Sequence, residues 1–447
     1  MVQFKKSIKI LLIQVVLTCF IFMPSFSQKI YGKIYNENGD LLPFSSVTVK
    51  STSSGVTANK KADYIFSLHP GKYTLVCQHI GYESIEKNIE LVDDMELNFI
   101  LKPQILTMKE LVITSGDENP AYEIIRQSIK KRNFYNNQVN GFEVDLYGKD
   151  VIKLRNLPDK IFGKKLPKED RSSMGLDSSG KGIVYLSEAI SKVHSQLPDK
   201  FKMDVISSRV SGSNSFGFTF PAFINLYANN VTIFKNGFNP RGFVSPIADG
   251  AIRFYKYKMM GTFIENGKLI NTIKVMPRRD YEPLFSGIIN ICDDDWRIHS
   301  FDFIVTKKSQ LEFLDTLQIT QLHVPVGNEI WRVKNQFLYF NFKMLGIDVI
   351  GNFLTVYSDY KINPVFEKKY FDRIIIKYDT AVNKKSKSYW DTIRPVPLEY
   401  EEKQDYKFKD SVFQLQLDST SINNNIDTLK KTARKNKNSS SILSRNQ

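Results

Sequence analysis

Five histidines, His69, His79, His194, His299 and His323, are the natural starting point for metal or acid–base chemistry. A zinc site read from sequence places donors a few residues apart, as in His-Glu-x-x-His or Cys-x-x-Cys, so that one turn of backbone serves both ligands. No two of these histidines stand that close, so none is assigned to a metal. Asp293-Asp294-Asp295 has the clustered oxygens a hard cation wants. Consecutive acids in a strand-turn-strand setting point different ways, however, and Trp296 follows at once; the run reads as a solvated hairpin turn. Arg278-Arg279 could grip a phosphate through guanidinium forks, but after Pro277 the pair reads as two solvated charges at a strand end. A serine nucleophile would need a Gly-x-Ser-x-Gly elbow, and Ser211-Gly212-Ser213 has the wrong spacing. The glycine-rich phosphate cradles are missing too. The sequence therefore assigns no catalytic, cofactor-binding or metal residue, and the chain reads as a non-enzyme. What remains is an aromatic set, Phe216, Phe218, Phe220 and Phe223 with Tyr227. It could pack in a core, cover an apolar cavity or touch lipid.

The chain has 447 residues, room for two or three folded units. Its 32 phenylalanines and 21 tyrosines lean toward β structure. At the start, Lys5, Lys6 and Lys9 precede an apolar run from Ile8 to Met23, and Ser25-Phe26-Ser27 offers a small-x-small cleavage site. Residues 1–27 read as a secretory signal peptide. Past it only Cys77 and Cys292 remain, too few for a disulfide scaffold, and they read as buried thiols. The net charge of +15 shrinks to +6 once the three leader lysines and the cations Lys430, Lys431, Arg434, Lys435, Lys437 and Arg445 are set aside. No dense basic face is left, which disfavours nucleic acid as a partner.

Stepping along the chain, residues 28–102 alternate apolar and polar positions in short segments broken by Asn38-Gly39, Pro70-Gly71 and Ile80-Gly81-Tyr82. That is the pattern of an antiparallel β-sandwich. A linker, 103–118, contains one further strand at Glu110 to Thr114. Asn119 then stands as an N-cap before Pro120, with Tyr122, Ile125 and Ile129 on one face of a helix. Residues 156–182 read as a long exposed loop, and Ile183 to Val193 as a short strand and helix. From Ala251 to Tyr360 sustained alternation with regular turns predicts an antiparallel meander of about seven long strands. It buries one face by curling or by packing on helices. The fold class is thus mainly β with α+β: a sandwich, then a larger α+β domain over 119–375 built on a curved antiparallel meander. Residues 376–417 read as a peripheral segment and 418–447 as a disordered basic tail.

Gly32-Lys33-Ile34, Leu42-Pro43-Phe44 after Asn38-Gly39, Val47-Thr48-Val49, Gly55-Val56-Thr57, Pro70-Gly71-Lys72-Tyr73 and Ile80-Gly81-Tyr82 stand in the order found in the carboxypeptidase-regulatory-like domain, which this region resembles. The resemblance implies a transthyretin-like, non-catalytic sandwich of the kind that heads outer-membrane proteins. Lys109-Glu110-Leu111-Val112-Ile113-Thr114 resembles the segment that follows it there. One departure stands out: Ala62 occupies a position where the family usually has a turn glycine, which strains the turn if it needs φ > 0. Farther on, Asn119-Pro120-Ala121-Tyr122, Ser245-Pro246-Ile247-Ala248, Pro277-Arg278-Arg279, Asp294-Asp295-Trp296-Arg297-Ile298, Tyr389-Trp390 and Arg394-Pro395-Val396-Pro397-Leu398 with Glu401-Glu402 resemble a family of uncharacterised envelope proteins. On that resemblance the chain ends where longer members enter a barrel-like region.

The expected function is a non-catalytic structural or interaction protein of the cell envelope, in the periplasm or at the outer membrane, with the sandwich as a docking module. Its expected partners are envelope proteins or outer-membrane components, with lipid as a further candidate and no cofactor. The alternative is a periplasmic carrier of lipid or lipoprotein that uses the curved sheet. An apolar cavity against the meander would separate the two.

Overall fold

The structure is a computed structural model; it describes residues 27–107, 118–161, 164–165, 171, 174–217, 223–234, 238–265, 267–327 and 329–419. The leader, the strand expected at Glu110 to Thr114, and most of the tail lie outside the described residues.

Eight short strands make the N-terminal module: β1 (Gln28–Asn36), β2 (Ser46–Val49), β3 (Gly55–Thr57), β4 (Asp63–Leu68), β5 (Gly71–Gln78), β6 (Ile85–Leu91), β7 (Met95–Glu96) and β8 (Phe99–Leu101). They form two four-stranded sheets, β3-β2-β5-β6 and one in which β1 pairs β4, β7 and β8. The core between them holds Ile34, Val47, Tyr64, Phe66, Leu75, Cys77, Phe99 and Leu101. The sandwich is not wholly antiparallel, because β7 and β8 both run parallel to β1. Ala62 does adopt a left-handed conformation, φ 58°, and is fully buried. An L-residue there costs roughly 1–2 kcal/mol relative to its right-handed conformation.

Helix α1 (Ala121–Asn137) opens the larger domain. The Asn119 carboxamide oxygen accepts from Ala121 N at 3.1 Å and from Met259 N at 3.0 Å, so the cap also ties the helix to the sheet. The sheet strands are β9 (Gly141–Asn156), β10 (Gly182–Gln196), β11 (Lys200–Val210), β12 (Tyr255–Glu265), β13 (Lys268–Pro277), β14 (Ser286–Cys292), β15 (Ile298–Thr306), β16 (Thr316–Gly327), β17 (Ile330–Met344), β18 (Ile347–Ile362) and β19 (Ile376–Tyr378). They lie in the order β12-β13-β14-β15-β16-β17-β18-β9-β10-β11-β19 as one eleven-stranded sheet, which among the described residues does not close into a barrel. The seven strands β12 to β18 are the expected meander. One expectation fails: Ile183 to Val193 contains no helix but belongs to β10. That strand is central, between β9 and β11, and is buried on both sides, which erases the period-two signal and leaves an apolar spacing that imitates a helix.

One face of the meander is covered by α1 and the segment 223–254. Ala121, Ile125, Leu226, Phe243, Ile273, Ile289, Phe301, Phe303, Ile319 and Leu338 meet in a single apolar core there. Gly351 lies opposite Phe340 in the ladder, and a Cβ at that position would come within 2.0 Å of the phenyl ring. The glycine is what lets that ring lie flat on the sheet. The other face carries the sandwich. Among the described residues no helix is long and apolar enough to cross a membrane, which says nothing of strands.

From residue 387 on, the segment expected to be peripheral is packed against the sheet. Helix α2 (Lys387–Ile393) drives Trp390, 1% exposed, into a cluster with Tyr147, Ile190, Leu354, Val356 and Val396. A further helix, α3, covers 400–419 and buries Tyr406, so the chain is helical where the tail was expected to begin.

Candidate functional site

Two places in the molecule gather side chains in ways a merely apolar core does not require. The first is a half-open cleft of about 260 Å³ where the C-terminal end of α1, the starts of β9 and β17 and the ends of β10 and β18 converge beneath the segment 223–227. Its walls are largely apolar: Val139, Phe142, Leu197, Phe223, Ile224, Leu226, Ile298, Trp331, Val333 and Tyr357. The volume falls just below the roughly 300–1,000 Å³ usual for small-molecule sites. Most polar groups around it are already engaged. Tyr227 accepts from Ile298 N at 3.0 Å, Tyr135 donates to the Asp295 carbonyl, and Tyr360 donates to the Val333 carbonyl at 2.9 Å. Gln321 donates to the Ile224 carbonyl at 3.2 Å and to Gln336 at 2.9 Å. Burial raises the phenol pKa values of Tyr227 and Tyr360, so both stay neutral. His323 is held down to about 3, by burial first and by the neighbouring His299 second, and its Nδ1 has no partner among the described residues. Among the described residues of the lining, Arg332 is the only lysine, arginine, aspartate or glutamate.

The second is the seam between sandwich and sheet. Phe44 stacks on Phe337 with centroids 4.2 Å apart, and Asn335 donates to the Phe44 carbonyl at 3.1 Å. A register shift between Leu322 and His323 leaves Lys334 without a ladder partner, a β-bulge that brings its ammonium within 3.0 Å of the Ser53 carbonyl. Lys334 is fully buried, and desolvation pulls its pKa down to about 7, with Asp359 opposing. Gln78 donates to Glu265 at 2.9 Å, and the other oxygen of Glu265 lies 2.8 Å from His299 Nε2. The segment 394–402 completes the seam. Arg394 grips the fully buried Glu188 through Nε at 2.6 Å and Nη2 at 2.8 Å, Tyr147 donates to the same carboxylate at 2.8 Å, and Lys149 meets Glu402 at 3.0 Å. Burial works against the charge on Arg394, but the Glu188 carboxylate outweighs it and raises the pKa. Two backbone amides of the sandwich, Thr57 and Lys60, donate to the Pro395 carbonyl and the Glu399 carboxylate at 3.0 and 3.2 Å.

The residues singled out in the sequence fall as follows. His299 and His323 lie close enough to interact, whereas His69, His79 and His194 are elsewhere: His79 sits just past β5 against Ser45 at 3.0 Å, and His194 lies between Asp204 and Glu143 at 3.2 and 3.4 Å. Among the described residues no three His, Cys, Asp or Glu side chains are placed to hold a metal. The Asp293–Asp295 turn is only partly solvated, since Asp295 pairs with Lys268 at 2.7 Å and Arg297 at 2.9 Å. Arg278 is no free charge at a strand end: its Nε donates to the Ile252 and Tyr255 carbonyls at 2.9 Å and Nη2 to Tyr122 at 3.1 Å, which fixes α1 to β12. Arg279 stays exposed beside Glu282. Cys77 and Cys292 are both buried and free, and burial pushes the Cys292 thiol up to about 12. Of the aromatic set, Phe223 and Tyr227 line the cleft, Phe216 stacks on Tyr378, and Phe218 and Phe220 lie outside the described residues. Sequence reasoning missed Arg332 and the Glu188–Arg394 pair. Neither carries a local signal, because each acquires its meaning from a strand or segment far away in the chain.

No curated protein matches the chain. Among solved structures it overlaps a domain described as an outer membrane lipoprotein-sorting protein from Vibrio parahaemolyticus, at 10% identity over 57% of this chain and 97% of that one, TM-score 0.26. It also overlaps a LolA superfamily protein from Nitrosomonas europaea (12%, 57% and 97%, TM-score 0.23) and a DUF3823 family protein from Bacteroides ovatus (12%, 38% and 96%, TM-score 0.16). At TM-scores this low nothing is carried over from these structures. The family comparisons are of another kind: a CarboxypepD_reg-like domain model matches residues 30–113, and the model of a family of unknown function, DUF5686, matches residues 124–360. The second match spans more than half of the chain and takes in α1 and every strand of the sheet from β9 almost to the end of β18, so the protein belongs to the DUF5686 family, headed by a carboxypeptidase-regulatory-like domain.

Proposed function

We propose that the protein is a non-catalytic, envelope-associated binding protein of the periplasm or outer membrane that holds one apolar chain, such as an acyl chain of a lipid or lipoprotein, in the cleft beneath residues 223–227. The observation that carries this reading is the cleft itself: a half-open, largely apolar hollow of about 260 Å³ beside the apolar core. Cores normally close such hollows, because a void forfeits contacts on every wall. The tyrosines and glutamine around it are hydrogen-bonded to the protein and the phenols and His323 are neutral, which favours binding over bond-making. On this reading the sandwich is part of the frame, because its β3-β2-β5-β6 side is spent on its own sheet.

A purified, delipidated chain titrated with the neutral apolar fluorophore 1-aminoanthracene is expected to bind it at one saturable site. Leu197→Trp, at the half-exposed mouth, should weaken that binding more than about tenfold with little change in melting temperature. Absence of saturable binding by the wild-type chain would sink the reading, and recovery of the native protein in the cytoplasmic fraction would sink its location. The alternative, a structural or interaction protein, is favoured by a different observation. Tyr31 and Ile65 are cross-strand neighbours on β1 and β4, and both are exposed, which gives the sandwich an uncovered apolar patch for a partner.

A further inference from the structure

We infer that the occupant of the cleft is a single-chain amphiphile with an anionic headgroup, a carboxylate or a phosphate, and that Arg332 holds that headgroup. The inference rests on the cleft being a binding site and adds the chemistry of its ligand.

Arg332 lies on β17 between Trp331 and Val333, all three lining the cleft. Its guanidinium is largely out of solvent yet forms no ion pair among the described residues. Its one hydrogen bond there is long, from Nη1 to the Trp331 carbonyl at 3.4 Å, and its buried Nε has no partner. Other buried arginines in this protein are treated differently: Arg394 has Glu188, Arg297 has Asp295 and Arg132 has Asp249. Leaving a guanidinium unpaired in a poorly hydrated wall is costly, and such groups are retained where an anion completes them.

The geometry narrows the anion. With Nη1 turned to the backbone and Nε closed off from solvent, Nη2 is the donor left to meet an anion. A charge-assisted hydrogen bond from that amino group suits an oxygen of a carboxylate or of a phosphate. Among the described residues no aspartate or glutamate lines the cleft to compete. The other walls are mostly apolar with a few neutral polar groups such as Asn140 and Asn225, which suits a chain, and among the described residues they hold no second lysine or arginine for a larger polyanion.

The test compares four twelve-carbon probes against the delipidated full chain by competition with 1-aminoanthracene: dodecanoate, dodecyl phosphate, dodecanol and dodecyltrimethylammonium. Dodecanoate, dodecyl phosphate or both should displace the fluorophore at least about tenfold more tightly than dodecanol, with the cation weakest. Whichever anion prevails names the source, a fatty acid or a phospholipid fragment. Arg332→Gln should bring the anions down to the dodecanol level and leave dodecanol unchanged, while Arg332→Lys should keep part of the preference. If dodecanol binds as well as both anions, or if Arg332→Gln lowers all probes alike, the headgroup assignment is overturned and the cleft reading stands. If neither fluorophore nor any probe binds, both fall together. Should Arg332→Gln fail to fold, the wild-type comparison of dodecanol with the two anions decides the matter alone.

Discussion

The two faces of the large sheet are covered by different means. Toward α1 and the segment 223–254 the contact is apolar and nearly continuous, from Ala121 through Phe301 to Leu338, and it relaxes only at the cleft. Toward the sandwich it is a mosaic in which aromatic contacts such as Phe44 on Phe337 alternate with buried charges, Glu188 with Arg394 and Lys149 with Glu402. Apolar packing is tolerant of volume and indifferent to direction, so that face can hold an imperfect closure. Buried ion pairs are intolerant, since each partner is costly without the other; here they fix the segment 394–402 on the sheet, and the sandwich is tied to that segment through Thr57 and Lys60. The face with the site is therefore the forgiving one, and the face with the module is exacting.

The largest break in that comparison is expected from Glu188→Ala. Removing the carboxylate leaves Arg394 buried and alone and strips Tyr147 of its acceptor, at a cost of about 3–5 kcal/mol in urea unfolding. The paired replacement Glu188→Leu with Arg394→Met should cost less than Glu188→Ala alone; an additive loss would mean that the pair is not a unit. Next comes pH. Lys334 has a native pKa of about 7 against 10.5 in the unfolded chain, so between those values the unfolded state binds the extra proton and stability rises with pH. The slope from this one group approaches about 1.4 kcal/mol per pH unit and vanishes below pH 7, where both states are protonated. Lys334→Met should flatten that window, and an unchanged slope in the variant would show that the seam is not its source. His79 and His323, lowered by burial to about 4 and about 3, act in a separate, acid window: stability from both is lost as pH falls below about 6.5. The smallest effect is expected from Ala62→Gly, which relieves a left-handed alanine but loosens the unfolded chain, for a net gain under about 1 kcal/mol in melting experiments.

Much of the frame was legible along the chain. The turns at Glu265 to Gly267 and Leu345-Gly346 and the alternation between them were enough for the seven-stranded meander, because each strand shows one face to a core. β10 was not legible, since a strand covered on both sides loses its alternation. The site was half legible. Phe223 and Tyr227 advertised an apolar surface, but Arg332 reads locally as an ordinary charged residue on a strand, and only the convergence of α1, β9, β10 and β18 around it turns it into the one charge of a cleft. Trp390, Arg394 and Glu402 looked peripheral for the same reason: their partners Tyr147, Glu188 and Lys149 are some two hundred residues or more away.

The strap over 394–402 has a consequence for the order of events during synthesis. Thr57 and Lys60 leave the ribosome early, yet their acceptors, Pro395 and Glu399, are made more than three hundred residues later. The sandwich can build its own core as soon as its strands are out, but its seat on the sheet is unfinished until about three hundred further residues have followed. The module must wait beside a growing sheet, and its final locking reports that the whole frame has been assembled.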